Sequence, residues 1–217
     1  MEISILGISG SPIKGGNTDV LVERAMEMAS RYGVKTKWIS LSEYRVGDCK
    51  HCNWCVTEQQ EGRFCIQQDD MQRIYPLLLE ADAILLATPV YIARLSGYLA
   101  SFMDRWRAFL YGNFYRGGLK NKVGAAMAVG WFRNSGMETA LLSILYGFFL
   151  YEMIPVGAGG LCPWGVPAVS SEGGLGRFRK ELRHGVLDDE YGQKTLSSLI
   201  KKVVEVTRIV KRGLTTS

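Results

Sequence analysis

Hydrophobic positions along the chain follow two periods that alternate. Residues 3–8 form a continuous apolar run of strand length. Residues 18–32 place Leu21, Val22, Ala25, Met26 and Ala29 on one helical face, and residues 34–41 read as a second strand. Met71, Ile74, Leu77 and Leu78 predict a helix over 69–80, followed by a buried strand over 83–88. A helix over 95–110, a strand over 123–129, a helix over 137–150, a short strand over 153–156 and a last helix from about 190 to 212 complete the series. Five strands alternating with five helices predict an α/β fold, a doubly wound five-stranded parallel sheet covered on both faces. Residues 157–189 fit no part of that alternation. They are rich in Gly and Pro and too long for an ordinary connection, so they are expected to be a functional excursion or an extended arm packed on a partner subunit.

With 217 residues, 47% of them hydrophobic, and no Pro/Ser-rich linker, one domain over 1–217 is expected. The chain enters its first strand without a basic leader, which points to a cytoplasmic protein. Its longest strongly apolar stretch, 140–151, falls short of the ~20 residues a bilayer requires, so no membrane partner is expected. The net charge of +5 adds little. Lys201, Lys202, Arg208, Lys211 and Arg212 interleave with Leu199, Ile200, Val203, Val206 and Val210 as the solvated face of an amphipathic helix, and no nucleic-acid partner is expected.

In such a sheet, ligands bind beyond the carboxyl ends of the strands. Three segments fall there. The first, Ser9-Gly-Ser11-Pro-Ile-Lys14-Gly-Gly16-Asn17-Thr18, follows strand one and opens helix one. Its hydroxyls, the Asn17 amide, the free N–H groups of a helix start and the Lys14 charge suit a phosphate. Its order is neither that of a P-loop nor that of a dinucleotide fingerprint, which favours a monophosphate. The other two are Thr88-Pro89-Val90-Tyr91 after strand three and Gly130-Trp-Phe-Arg133-Asn134-Ser135-Gly136 after strand four. Together the three would line one crevice.

Between strand two and the next helix lie Cys49, Cys52, Cys55 and Cys65. Three cysteines at two-residue intervals with a fourth from a short loop suit an iron–sulfur cluster, with a four-thiolate zinc site and redox-active thiols as alternatives. Cys162 stands apart and reads as a small buried residue. His51 and His184 are the only histidines, and no Ser/His/Asp constellation for nucleophilic catalysis is visible, so no catalytic side chain is assigned.

The Ser9–Thr18 loop, Asp69-Asp70-Met71, Thr88-Pro89-Val90-Tyr91 and Asp104-Arg105 resemble the NAD(P)H-dependent FMN reductase branch of the flavodoxin-like superfamily, and the cysteine run resembles its iron–sulfur flavoproteins. The resemblance covers residues 1 to about 156. It implies a flavodoxin-like fold in which Ser9, Ser11, Lys14, Gly16, Asn17 and Thr18 surround the FMN phosphate. It also implies that Thr88, Pro89, Val90 and Tyr91 pass the isoalloxazine edge, and that Gly130 and the Arg133–Gly136 loop offer backbone groups to the ring. Where the family has Gly-Gly-Gln-Glu, this chain has Ser135-Gly136-Met137-Glu138. Cys49, Cys52, Cys55 and Cys65, within a loop over 47–68, would hold a [4Fe-4S] cluster.

The implied function is an electron-transfer oxidoreductase joining two-electron and one-electron partners such as NAD(P)H and ferredoxin, acting as a homodimer or homotetramer. The alternatives are an NAD(P)H-dependent FMN or quinone reductase without a cluster, and a non-enzymatic zinc-binding module on the same scaffold. The aromatic stretch 106–115 is a candidate subunit interface.

Overall fold

Continuous apolar runs make the two central strands, β3 (Ala83–Pro89) and β4 (Val123–Gly130), and every residue of both is buried. The computed structural model describes residues 2–177, 181 and 183–216. Around those strands stand β1 (Ser4–Ser9), α1 (Asn17–Ser30), β2 (Lys35–Ser40), α2 (Trp54–Thr57), α3 (Met71–Glu80), α4 (Gly97–Asp104), α5 (Arg107–Leu110), α6 (Met137–Leu150), β5 (Ile154–Val156), β6 (Val166–Val169) and α7 (Glu190–Thr216). The sheet is parallel throughout, in the order β2-β1-β3-β4-β5, with β6 also on β4.

The period of two within each strand sorts side chains to opposite faces. From β3, Ala83, Leu85 and Ala87 join Leu21, Val22, Ala25, Leu199, Ile200 and Val203 beneath α1 and α7. Ile84 and Leu86 point the other way, toward Ile74, Leu78, Phe102, Trp106, Ile144 and Phe148 of α3 to α6. The cysteine-bearing loop packs on this second face, where Cys55 and Phe64 enter the same core. Phe64 lies between two rings, Tyr75 at 4.8 Å and Tyr115 at 4.1 Å.

Two sequence expectations change. Part of the segment 157–189, of which 178–180 and 182 lie outside the described residues, returns to the sheet: β6 pairs Val166–Val169 with Met127–Gly130, beyond the point where β5 pairs Ile154–Val156 with Val123–Ala125. The sheet therefore has six strands, and β5 and β6 succeed one another along one edge of β4. Pro167 concealed β6 in the sequence, since proline inside a short run argues against a strand, but an edge strand needs no donor on its outer side.

The single helix expected over 95–110 is two, α4 and α5, with a turn at Arg105 and Trp106. A straight helix would splay consecutive side chains by about 100°. The turn lets both Arg105 and Trp106 become buried. Among the described residues no helix is long and apolar enough to cross a membrane.

Candidate functional site

The three loops named from sequence meet at the carboxyl ends of β1, β3 and β4, and three contacts knit them. Ser96, the residue that caps α4, donates its hydroxyl to Gly10 O at 2.6 Å and its backbone N–H to Thr88 Oγ1 at 2.9 Å. Val90 N–H bonds Val129 O at 2.9 Å. Gly136, with φ +89°, sits so close to the β3 loop that a Cβ there would lie 2.5 Å from Ala93 Cα. The β3 loop itself turns through Ile92 (φ 48°) and Ala93 (φ 57°), both in the left-handed region, with Tyr91 and Arg94 paired across it. A β-branched residue in that region is strained, and Ile92 is 93% exposed at the tip.

In the first loop, Ser9, Ser11 and Thr18 are buried. Ser11 Oγ accepts Ile13 N–H at 3.0 Å, and Asp19 turns inward to take Gly15 N–H at 2.8 Å and the Ser40 hydroxyl at 3.0 Å. The first intrahelical bond of α1 runs from Val20 N–H to Gly16 O. The N–H groups of Asn17, Thr18 and Asp19 therefore carry the positive end of the helix without intrahelical partners. Asn17 Oδ1 accepts Val186 N–H at 3.1 Å, which orients the amide and leaves its NH2 without a partner among the described residues, and His184 Nε2 lies 3.0 Å from Gly15 O.

The side chains of Lys14 and Arg133 are engaged elsewhere. Lys14 pairs with Glu43 at 2.6 Å. Arg133 donates to buried Asp189 at 2.5 and 3.2 Å and to Pro167 O at 2.9 Å, and its backbone N–H goes to Gly174 O. Asn134 is exposed, Ser135 Oγ donates to Phe132 O at 2.7 Å, and Gly130 O accepts Ser170 N–H at 2.9 Å.

The cysteine loop is closed at its neck. Arg105, whose side chain is 1% exposed, donates from Nη1 to Asp69 Oδ2 at 2.5 Å and Gly47 O at 2.9 Å, and from Nη2 to Asp69 Oδ1 at 3.1 Å. Asp69 also accepts Gly47 N–H at 3.0 Å, and Asp70 accepts Arg45 N–H at 2.8 Å. The residues just before Cys49 are thereby tied to those just after Cys65. Burial pushes the Asp69 carboxyl up, but the Arg105 guanidinium and the Gly47 and Met71 N–H groups outweigh it and hold the pKa below the usual range.

Within the loop, His51 (φ 49°) and Asn53 (φ 60°) are both left-handed, which turns the backbone twice between Cys49 and Cys55. Burial pushes the Cys55 thiol up. Cys65, Cys49 and Cys52 add to the rise, and the Arg107 guanidinium opposes it. Among the described residues, no three His, Cys, Asp or Glu side chains close on a point as they would around one metal ion.

Two polar residues that sequence reasoning missed hold these parts together. Ser96 was hidden because it falls within the helix expected over 95–110, where a lone serine carries no signal. Gln59 is 4% exposed and uses its whole amide: Nε2 donates to Phe64 O and Ala108 O at 3.0 and 3.1 Å, and Oε1 accepts Phe114 and Tyr115 N–H at 3.1 and 2.9 Å. Gln59→Leu leaves two buried and two partly buried backbone groups without their partner and is expected to cost about 3 kcal/mol. Urea denaturation of the variant beside wild type measures it.

Residues 3–161 match the NADPH-dependent FMN reductase family. An iron–sulfur flavoprotein of Methanocaldococcus jannaschii is 37% identical over 212 residues, covering 98% of this chain and 100% of that protein. The chain belongs to the iron–sulfur flavoprotein family. A second member, from Archaeoglobus fulgidus, is 33% identical over 204 residues, covering 93% of this chain and 96% of that one. Membership makes this flavoprotein a flavin-dependent oxidoreductase.

Solved structures agree on the flavodoxin-like fold. RosB, in its complex with 8-demethyl-8-formylriboflavin-5'-phosphate, superposes with a TM-score of 0.75 at 14% identity, covering 97% of this chain and 81% of its own. A flavodoxin, WrbA-like protein from Agrobacterium tumefaciens superposes with a TM-score of 0.58 at 13% identity, covering 98% and 99%.

Proposed function

We propose that this flavoprotein binds FMN at the three strand-end loops and a [4Fe-4S] cluster at Cys49, Cys52, Cys55 and Cys65, and transfers electrons between a two-electron and a one-electron partner. The observation that carries the reading is the closed neck of the cysteine loop, Gly47 and Asp69 held on buried Arg105, which ties together the chain on either side of the four cysteines. Bound together, a flavin that exchanges two electrons or one and a cluster that exchanges one would connect the two kinds of partner.

The residues present fit both groups. At the phosphate loop, the N–H groups of Asn17 and Thr18, the Asn17 amide and the hydroxyls of Ser9, Ser11 and Thr18 would take phosphate oxygens, and Gly16 admits close approach of the backbone. Pro89, Val90 and Tyr91, with Gly130 and Ser135–Gly136, would border the ring, and the Gly136–Ala93 contact sets the separation of those two loops. Lys14 and Arg133 act indirectly. Lys14 fastens the loop to Glu43, and Arg133 fastens the β4 loop to Asp189.

At the cysteines, buried Arg105 and half-buried Arg107 are cations beside thiols that must ionise to ligate, which suits an anionic cluster. The same segment holds buried N–H donors without acceptors, at Arg105 Nε, Trp106 Nε1 and Arg107 Nε. A cubane receives each thiolate on a different iron and so accepts sulfurs spread wider than the ~2.3 Å shell of a single zinc ion.

NAD(P)H is proposed as the two-electron partner and a ferredoxin-type carrier as the one-electron partner. The exposed apolar side chains of α6, Tyr146, Phe149 and Leu150, support a homodimer or homotetramer.

Anaerobically purified protein should show flavin absorption together with about four irons and four acid-labile sulfides per chain. Cys55→Ser should lose the iron and keep the flavin, and the Ser11→Ala, Asn17→Ala double variant should lose flavin and keep iron. Flavin without iron in the wild type would leave a plain FMN reductase, and zinc without flavin would refute both assignments.

A further inference from the structure

Three consecutive residues, Arg105, Trp106 and Arg107, each bury an N–H that finds no acceptor, and among the described residues these are the only buried side-chain nitrogen or oxygen atoms without a hydrogen-bond partner. A buried donor left unmade is costly, and native proteins keep few of them. Their concentration in one turn therefore points to a group that supplies acceptors.

None of the three can swing to find a partner. Arg105 is held through both terminal nitrogens by Asp69 and Gly47. Arg107 is held by Asn53 Oδ1 at 2.7 Å and lies over the Tyr111 ring at 4.8 Å. Trp106 is wedged among Phe102, Phe148 and Tyr151, at ring separations of 5.4, 6.4 and 5.5 Å.

The turn also borders the cysteines. Arg107 bonds the Asn53 side chain between Cys52 and Cys55, Arg105 bonds Gly47 and Asp69 on the two sides of the cysteine loop, and Cys55 O accepts Asn113 N–H from the segment just after Arg107.

We propose that residues 105–107 form a donor wall for the iron–sulfur cluster, their side-chain N–H groups bonding its sulfur atoms and raising its reduction potential. The inference rests on the cluster assignment above. Thiolate and sulfide sulfur accept hydrogen bonds more strongly as the cluster becomes more negative. One electron, delivered by the reduced flavin of the proposed function, adds one negative charge, so donors and cations at this wall favour the reduced state. Arg105 has two tasks, as neck clamp and as donor, whereas Trp106 and Arg107 are positioned for the second alone.

Trp106→Phe removes the indole N–H and keeps an aromatic ring, and Arg107→Lys keeps the charge and removes the Nε–H. Each variant, as full-length anaerobic protein, would be titrated with the cluster followed by EPR and with iron, sulfide and flavin assayed on the same sample. The expected result is wild-type cofactor content, an unchanged flavin potential and a downward shift of the cluster potential. Loaded variants with an unshifted potential overturn this inference alone, whereas a wild type without iron and sulfide removes the cluster assignment and this inference with it. Should a variant lose its cluster on purification, wild-type protein labelled with 15N-tryptophan supplies the second measurement. A hyperfine coupling from indole nitrogen to the reduced cluster supports the wall, and its absence overturns it.

Discussion

Replacing Asp69 with alanine is expected to destabilise the protein by about 3 kcal/mol, toward the low end of the range for breaking a buried ion pair because the Asp69 side chain keeps 18% exposure. The loss arises mainly at Arg105. Its guanidinium stays buried with one backbone carbonyl, Gly47 O, in place of a two-pronged carboxylate. Because Asp69 also holds Gly47 N–H, the neck of the 47–68 loop opens at the same time, and iron content should fall with stability. Replacing both partners, Asp69→Leu with Arg105→Met, should recover much of the loss, since no charge is then stranded.

The pH dependence follows from the direction of the shift. The folded carboxyl titrates below its unfolded value of about 3.9, so its contribution is fully present above that pH and is lost as pH falls through the folded pKa. Wild-type stability should therefore decline in acid more steeply than that of Asp69→Ala, by urea denaturation at a series of pH values between about 6 and 2. A loss under about 1 kcal/mol at neutral pH, the scale of an exposed ion pair, would falsify the clamp.

Gly136→Val is expected to weaken FMN binding by more than tenfold and to cost about 2–4 kcal/mol of stability. Two penalties coincide at this position. A side chain at φ +89° is strained, and its Cβ would meet the Ala93 backbone at 2.5 Å from Cα and 2.7 Å from O. The collision pushes apart the β3 and β4 loops, the two that would border the ring. Gly33→Val, outside the three loops, serves as the comparison, because φ there is +70° but no atom lies within 4 Å of the added Cβ. Strain alone, about 1–2 kcal/mol, is expected at that site. Fluorescence titration of the apoproteins with FMN distinguishes the two, and equal losses at both glycines would remove the argument from loop spacing.

What the sequence disclosed and what it concealed divide along physical lines. Ile84 and Leu86 on one side of β3 and Leu85 and Ala87 on the other announce a strand covered on both faces, because burial on two sides needs no more than a continuous apolar run. The Ser9–Thr18 loop is readable for a similar reason: its hydroxyls, glycines and helix start are contiguous in the chain. The Asp69–Arg105 clamp joins residues 36 positions apart, and only the family resemblance drew attention to either half. Lys14 reads as a phosphate contact on charge and proximity, and Arg133 enters only through the resemblance, as part of a loop offering backbone groups; the carboxylate partners of both side chains, Glu43 and Asp189, are revealed by no local pattern. Gln59 was invisible because a glutamine in a polar loop is ordinarily solvated, and only the fold surrounds it with four backbone groups.

Both margins of the sheet carry residues that resist strand addition. β2 presents exposed Lys35 and Lys37 at one side, and β5 and β6 present Pro155 and Pro167 at the other. Lysine side chains resist desolvation, and proline cannot donate to a further ladder, so a second chain finds no template at either margin. Copies of this protein would therefore assemble through helices and loops, with each sheet remaining a separate body. Its concentrated solutions should resist the edge-to-edge growth that turns open parallel sheets into fibres.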